Sequence, residues 1–100
     1  MKLGILLTTS PENENTNTVI NISRAAIGQG HEVSIFLMYD GVYNINNKEF
    51  AALVDDRVSI AVCAFNVEQR KIGKVDGIVF GSQYDHACIA SEVDRLISFG

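Results

Sequence analysis

The chain is poor in several residue types, and each shortage excludes a class of protein. Its 100 residues include one proline, eight glycines and no tryptophan, which is not the composition of a disordered or fibrous chain. Cys63 and Cys88 are the only cysteines and lie far apart. They form neither a disulfide framework nor a cluster of metal ligands, so we expect thiols in a reducing compartment and no metal or organic cofactor.

Positive charge and long apolar runs are also scarce. The net charge is −4 and no Lys/Arg cluster is present, so the electrostatic footprint of most nucleic-acid binders is missing and we expect no direct nucleic-acid binding. No apolar run approaches the roughly 18 residues of a membrane-spanning helix. The apolar run at residues 3–7 is too short for the core of a signal peptide. We therefore expect a cytoplasmic protein without membrane contact.

The length fits one hydrophobic core, which predicts a single domain over residues 1–100. Apolar runs predict strands, and residues of helical spacing between them predict helices. The predicted strands are residues 2–8, 31–39, 58–62, 75–81 and 96–99. After a polar loop at 9–18, the predicted helices are 19–28, 44–54 with an Asn cap, 64–71, and 83–93 with Ser82 as N-cap. This alternation predicts a three-layer α/β/α fold with a mostly parallel sheet of about five strands.

Cys63 has the most informative position in this pattern. It directly follows the predicted third strand and precedes a predicted helix. The carboxyl ends of parallel strands face the crevice where ligands bind in open α/β sheets, and a helix N-terminus favours an anion such as a thiolate. Cysteine is also among the residue types most often buried, where it packs as a small apolar side chain. The position alone leaves both interpretations open.

Other candidates are weaker. Asp40 and Gly41 follow the second strand, and Gly81 and Ser82 follow the fourth, so all four would share an edge of the sheet with Cys63. Turn formation explains these pairs equally well. No GxGxxG motif and no Walker A lysine is present.

The two remaining candidates lie in the last predicted helix. His86 is a conceivable base for Cys63, but no local signature supports the pair. Cys88 lies in mid-helix, a placement more typical of packing than of a nucleophile.

Several segments together resemble the DsrE/DsrF-like family, which includes sulfur-relay proteins of the TusD/TusC type and YchN-like proteins. The resemblance spans nearly the whole chain. It rests on residues 28–33 (GQGHEV), 35–42 (IFLMYDGV), the Cys63 segment, 76–82 (DGIVFGS) and 90–99 (ASEVDRLISF).

The resemblance implies a role for Cys63. In the sulfur-relay members, a cysteine after the third strand accepts sulfane sulfur as a persulfide and passes it on, and Cys63 matches that position. Arg70 is the plausible match to an Arg-Gly pair that relatives commonly carry after the cysteine helix, and it could add positive charge at the site. The resemblance also implies a homo-oligomer, trimer or hexamer, or an assembly of paralogous subunits, working with sulfur donor and acceptor proteins.

Two other function classes stay open. The chain could be a non-catalytic oligomeric or small-ligand-binding module in which Cys63 only packs. It could also be a nucleotide-binding α/β domain, although the phosphate-binding fingerprints are missing. Whether the protein is an enzyme stays open; at most, the resemblance implies a sulfurtransferase-like carrier.

Overall fold

The computed structural model describes all residues, 1–100, and shows a five-stranded, fully parallel sheet in the order β4-β3-β2-β1-β5. The predicted α/β fold class is confirmed. The strands are β1 Lys2–Leu7, β2 Glu32–Leu37, β3 Val58–Cys63, β4 Ile78–Gly81 and β5 Arg95–Phe99. The helices are α1 Asn15–Gly28, a 3₁₀ helix Tyr39–Asn46, α2 Lys48–Ala51, α3 Ala64–Gln69 and α4 Gln83–Glu92.

The strand order explains why α4 lies apart from the other helices. From β1 the chain moves outward through β2 and β3 to β4, and then returns past all of them to place β5 on the far side of β1. Right-handed crossovers that run in one direction put their helices on one face of the sheet, and a crossover that runs the other way uses the opposite face. The connection through α4 is the only one that runs the other way, so α4 covers the second face alone.

The first face of the sheet, which we call the covered face, holds the main core. Alternate residues of the strands point into it, as do Val19 and Ile20 of α1 and Phe50 of α2. Val67 of α3 completes the cluster, which contains 17 buried residues. Apolar burial on this scale is the main stabilising term in folding.

The second face, which we call the open face, is thinly packed. Its buried cluster has three residues, Phe36, Ala61 and Cys63, and Ile89 of α4 packs against them. No residue of α4 is fully buried. Val79 of β4, which is in register with Ala61, keeps 55% of its surface exposed. The sheet therefore has one face closed by helices and one face only partly covered.

Three predicted boundaries were wrong. Helix α1 begins at Asn15, inside the segment predicted as a loop. The polar residues there do not all face solvent, because the Thr16 hydroxyl is buried and donates to Oδ1 of Asn44. Because these side chains are polar, the sequence pattern predicted a loop where the first turn of α1 lies.

The segment predicted as one helix over 44–54 is divided. Residues Tyr39–Asn46 form a 3₁₀ helix, and the predicted Asn cap is Asn47, whose Oδ1 accepts from the Phe50 N–H at 3.1 Å at the start of α2. Strand β4 begins at Ile78 instead of residue 75, because Gly77 adopts a φ of 84° that ends the preceding turn.

Candidate functional site

Cys63 is the last residue of β3 and the N-cap residue of α3. Its backbone is extended, with φ −71° and ψ 108°, so the chain passes from strand to helix without an intervening loop. It is a free thiol with 7% of its surface exposed, and its register partner on β4 is Gly81. The strand places the side chain on the open face of the sheet, in the same cluster as Phe36.

A cavity of about 630 Å³ opens beside Cys63 at the carboxyl ends of β2, β3 and β4. Three segments line it, residues 38–39, 63–66 and 81–83. Each segment is the continuation of one strand, so the cavity follows directly from parallel pairing, which brings the three strand ends to one edge. Its volume is in the range of small-molecule sites in proteins.

The backbone at Tyr39 is strained and is held by a residue of the cavity wall. Tyr39 has a φ of 50°, in the left-handed region that bulky residues rarely adopt. Its N–H donates to Oδ1 of Asn66 at 2.8 Å, and Asn66 is buried. The Asn66 amide in turn donates to Oε1 of Gln69 at 3.2 Å. Strained residues cluster at functional sites, where the surrounding structure over-determines them.

No charged side chain lines the cavity. Arg70, the predicted source of positive charge, donates from Nε to Oδ1 of Asp40 at 3.0 Å and forms an ion pair with it. Its Nη1 also donates to the Asn66 carbonyl at 3.4 Å. The guanidinium therefore interacts with Asp40 and with the backbone of α3, and it does not line the cavity.

The predicted pocket residues are divided by the structure. Gly81 and Ser82 lie in the cavity wall with Cys63, whereas Asp40, Gly41 and Arg70 do not. Gly41 is buried against the Leu7 carbonyl, where a Cβ would collide with β1. Asp40 instead lies in a separate surface depression.

Ser82 is the N-cap of α4, as predicted. Its Oγ accepts from the Tyr84 N–H at 3.2 Å, and Oδ2 of Asp85 accepts from the Ser82 N–H at 2.6 Å. The Asp85 carboxylate occupies the space where a side chain at position 81 would lie, which explains the glycine there. The polar groups at this edge of the cavity are thus engaged with one another.

His86 and Cys88 lie on α4, over the open face. The His86 ring stacks on Phe36 with a centroid distance of 5.4 Å, and its Nε2 is buried without a hydrogen-bond partner. Cys88 is half-buried. Hydrogen bonding with Cys88, one turn away, raises the pKa of the Tyr84 phenol above its ordinary value.

The sequence did not indicate six of the wall residues, namely Met38, Tyr39, Ala64, Phe65, Asn66 and Gln83. Its pattern predicts Tyr39 as the end of a strand and Asn66 as part of a helix. The signal that could have found Phe65 is its place two residues after Cys63, where the first turn of α3 projects from the sheet edge. Phe65 keeps 66% of its surface exposed, which is high for a phenylalanine.

The structure contains no group of three or more His, Cys, Asp or Glu side chains placed to hold a metal ion. No helix combines the length and apolar character needed to cross a membrane.

The fold and the cavity define a small parallel α/β protein with a cysteine in the wall of a pocket at the carboxyl edge of its sheet. The sequence profile of the DsrE/DsrF-like family matches residues 1–99, and the chain belongs to this family. The resemblance drawn from the sequence is thereby confirmed. The fold is similar to that in the crystal structure of the YchN protein from E. coli, with a TM-score of 0.82, 20% identity and 99% of each chain covered. No protein with a curated description matches the sequence significantly.

Proposed function

We propose that this protein carries sulfane sulfur as a persulfide on Cys63 and passes it to a thiol of a partner. The DsrE/DsrF-like family is generally linked to sulfur relay, and this chain belongs to it. The observation that carries the proposal is the position of Cys63, a free thiol in the wall of a cavity large enough for a small donor molecule.

The chemistry is two thiol exchanges. The Cys63 thiolate attacks the terminal sulfur of a donor persulfide, a new S–S bond forms at Cys63, the donor S–S bond breaks and the donor leaves as a thiolate. An acceptor thiolate then attacks the terminal sulfur on Cys63, and Cys63 leaves as a thiolate. Each step transfers one sulfur atom without an external oxidant or reductant, and neither step requires a metal or an organic cofactor.

The surroundings of Cys63 suit a carrier that must protect its sulfur. Cys63 is 7% exposed and lies in the cavity wall, so most of its side chain is shielded from thiols in bulk solution. Thiol chemistry of this kind needs a compartment in which Cys63 stays reduced, which fits the cytoplasm. Donor and acceptor then meet the protein at the mouth of the cavity.

The test is intact-mass analysis of native protein after exposure to a persulfide donor. We expect an adduct of one sulfur atom that a reductant removes, present in Cys88→Ser and lost in Cys63→Ser. Cys88 is the matched control because it is the other free thiol and lies outside the cavity wall. An adduct on both cysteines to the same extent, or on Cys63 only after denaturation, would contradict the carrier role.

We also propose that the protein is a homo-oligomer, trimer or hexamer, assembled through the open face. Val79 and Leu96, on the two edge strands, are 55% and 44% exposed and point to this face, and α4 leaves the sheet between them partly covered. Exposed apolar surface beside a sheet often marks an interface. Paralogous subunits on the same face are the other form this assembly could take.

The oligomer is tested by sedimentation of the wild-type chain and of Val79→Lys. We expect the substitution to lower the mass of the main species while far-ultraviolet circular dichroism stays unchanged, because Val79 contributes little to the core. Asn17→Lys, on the exposed surface of α1, is the control because it adds the same positive charge away from the open face. A wild-type chain that sediments as a monomer would refute the assembly and leave the carrier role untouched.

A non-catalytic oligomeric or ligand-binding module is the second candidate, because the same open face and cavity would serve it. The persulfide experiment separates the two, since a module of this kind needs no reactive Cys63.

A further inference from the structure

We propose that the cavity beside Cys63 selects a small, uncharged, apolar persulfide, such as an alkyl or aryl hydropersulfide, over charged donors such as a glutathione or free cysteine persulfide. This inference rests on the proposed carrier role, because it names the substrate class for the same cysteine. It follows from the charge, the polar groups and the aromatic rim of the cavity.

The charge of the wall is the first argument. None of the residues at 38–39, 63–66 and 81–83 is Asp, Glu, Lys or Arg. Glutathione and free cysteine carry carboxylate and ammonium groups, and a site that binds them needs partners of opposite charge to replace lost hydration. Arg70, the nearest candidate cation in sequence, is paired with Asp40 at 3.0 Å. A charged donor would find no side chain of opposite charge among the residues of this wall, and the nearby Asp85 carboxylate already accepts from the Ser82 N–H.

The polar side chains of the wall are the second argument, since most are already engaged. Asn66 accepts from the Tyr39 N–H and donates to Gln69. The Ser82 hydroxyl already forms hydrogen bonds as the N-cap of α4. A buried polar ligand group needs a free partner. Among the side chains here, Gln83 and the Tyr39 hydroxyl form no hydrogen bond, and the Asn66 amide keeps one N–H donor.

The aromatic rim is the third argument. Phe65, in the first turn of α3, and Tyr39, after β2, keep 66% and 57% of their surfaces exposed and both lie in the cavity wall. Met38, which adapts to irregular apolar shapes, adds to the same wall. Apolar ligand atoms that contact these side chains remove their surface from water, which is the term that favours an uncharged organic group.

The transfer then proceeds with an uncharged donor R–S–SH. Its R group contacts Phe65 and Tyr39 while the Cys63 thiolate attacks the terminal sulfur. The donor S–S bond breaks, R–S⁻ leaves, and the leaving thiolate takes a proton from solvent at the mouth. Cys63 retains the terminal sulfur as its persulfide.

The experiment compares rates of Cys63 modification in Cys88→Ser protein by three methanethiosulfonates with benzyl, sulfonatoethyl and trimethylammonioethyl groups. Each reagent forms a mixed disulfide with the thiolate and releases methanesulfinate, so no sulfur transfer is needed. Each rate is divided by the rate of the same reagent with the unfolded chain. We expect the benzyl reagent to exceed both charged reagents by about tenfold, the factor for one well-buried apolar group.

Variants of the rim test where the preference arises. Phe65→Ser should remove most of the benzyl advantage, and Phe65→Arg should favour the anionic sulfonatoethyl reagent. Tyr84→Ser and Tyr84→Arg are the matched controls, because Tyr84 is an exposed aromatic outside the wall. Benzyl methyl sulfide, an uncharged thioether that cannot react, should slow all three reagents, because it occupies the cavity through which each of them approaches Cys63.

Equal normalised rates for the three reagents, a preference for a charged one, or no reaction of native Cys63 would each overturn the proposed selectivity. Failure of the carrier role has a different signature, namely benzyl preference at Cys63 together with no uptake of sulfur from any persulfide. If only a protein persulfide loads Cys63 and small uncharged persulfides do not, the substrate class proposed here is wrong and the carrier role stands.

Discussion

The two faces of the sheet are built from the same five strands and differ in how they are closed. The covered face has α1, α2 and α3 above it and 17 buried residues in one cluster. The open face has α4 alone and three buried residues, one of which is Cys63. The comparison teaches that this fold places its stability on one face and its candidate chemistry on the other.

The difference originates in the helices. α1 directs Val19 and Ile20 into the core with almost no exposed surface. α4 is capped well at its N-terminus, but it reaches the open-face cluster mainly through Ile89 and the His86 ring, which stacks on Phe36. A thin layer leaves room for a cavity and keeps the Cys63 thiol within reach of a ligand, which a closed core would not permit.

The largest expected effect is loss of stability on the covered face. Phe50 is fully buried in the main cluster, so Phe50→Ala should lower the free energy of unfolding by about 3–5 kcal/mol. Val79→Ala on the open face removes a side chain that is more than half exposed and should change it by less than about 0.5 kcal/mol. Urea denaturation at a protein concentration low enough to dissociate the proposed oligomer measures both variants in the monomer. Equal losses would mean that the open face of the monomer is as tightly packed as the covered face.

The next effect concerns a buried polar group on the covered face. Asn44 is fully buried, accepts from the Thr16 hydroxyl and donates to the carbonyls of Thr9 and Gly41 at 2.9 and 2.8 Å. Asn44→Ala leaves these groups without partners and should lower the free energy of unfolding by about 2–3 kcal/mol.

Asn47→Ala is the control for Asn44, because it removes only the cap of α2 and should lower the free energy of unfolding by about 1 kcal/mol. Denaturant unfolding of both variants gives the comparison. A smaller loss for Asn44→Ala than for Asn47→Ala would show that the network contributes little.

A smaller effect is expected at the cavity, where the two faces meet. Asn66→Ala removes the acceptor that holds the strained Tyr39 N–H and should lower the free energy of unfolding by about 1–2 kcal/mol. Asn66→Asp keeps an acceptor oxygen and should lose less. Hydrogen exchange at the Tyr39 amide reports the contact directly. Unchanged exchange in Asn66→Ala would show that other contacts fix the Tyr39 backbone.

The smallest effect is a pH dependence on the open face. Hydrogen bonding to Cys88, with added repulsion from Asp85 and Glu92, raises the pKa of Tyr84 and so favours its neutral form in the folded protein. The resulting stability is present below the unfolded pKa of the phenol and is lost as pH rises through the folded pKa. Cys88→Ala should move the Tyr84 pKa back toward its ordinary value.

Ultraviolet absorbance titration measures this shift, and the difference between the wild type and Tyr84→Phe isolates Tyr84 from the other two tyrosines. The same Tyr84 titration with and without Cys88 would show that the two side chains do not interact.

The sequence was sufficient for most of the fold. Continuous apolar runs identified all five strands, and their alternation with helices implied parallel pairing, because such connections allow little else. The N-cap at Ser82 could also be predicted from the sequence, because capping depends only on neighbouring residues. The predictions failed where a distant contact decided the backbone, as at Thr16, which is buried against Asn44, and at Tyr39, whose N–H donates to Asn66.

Part of the candidate site could be predicted from the sequence. By itself the sequence determined that Cys63 follows a strand and opens a helix, because both are local features of the chain. Only the tertiary structure decided that Tyr39 and residues 81–83 join the Cys63 segment around one cavity while Arg70 turns to Asp40. The physical reason is that these contacts join separate strand ends across the sheet, and local spacing does not encode such distances.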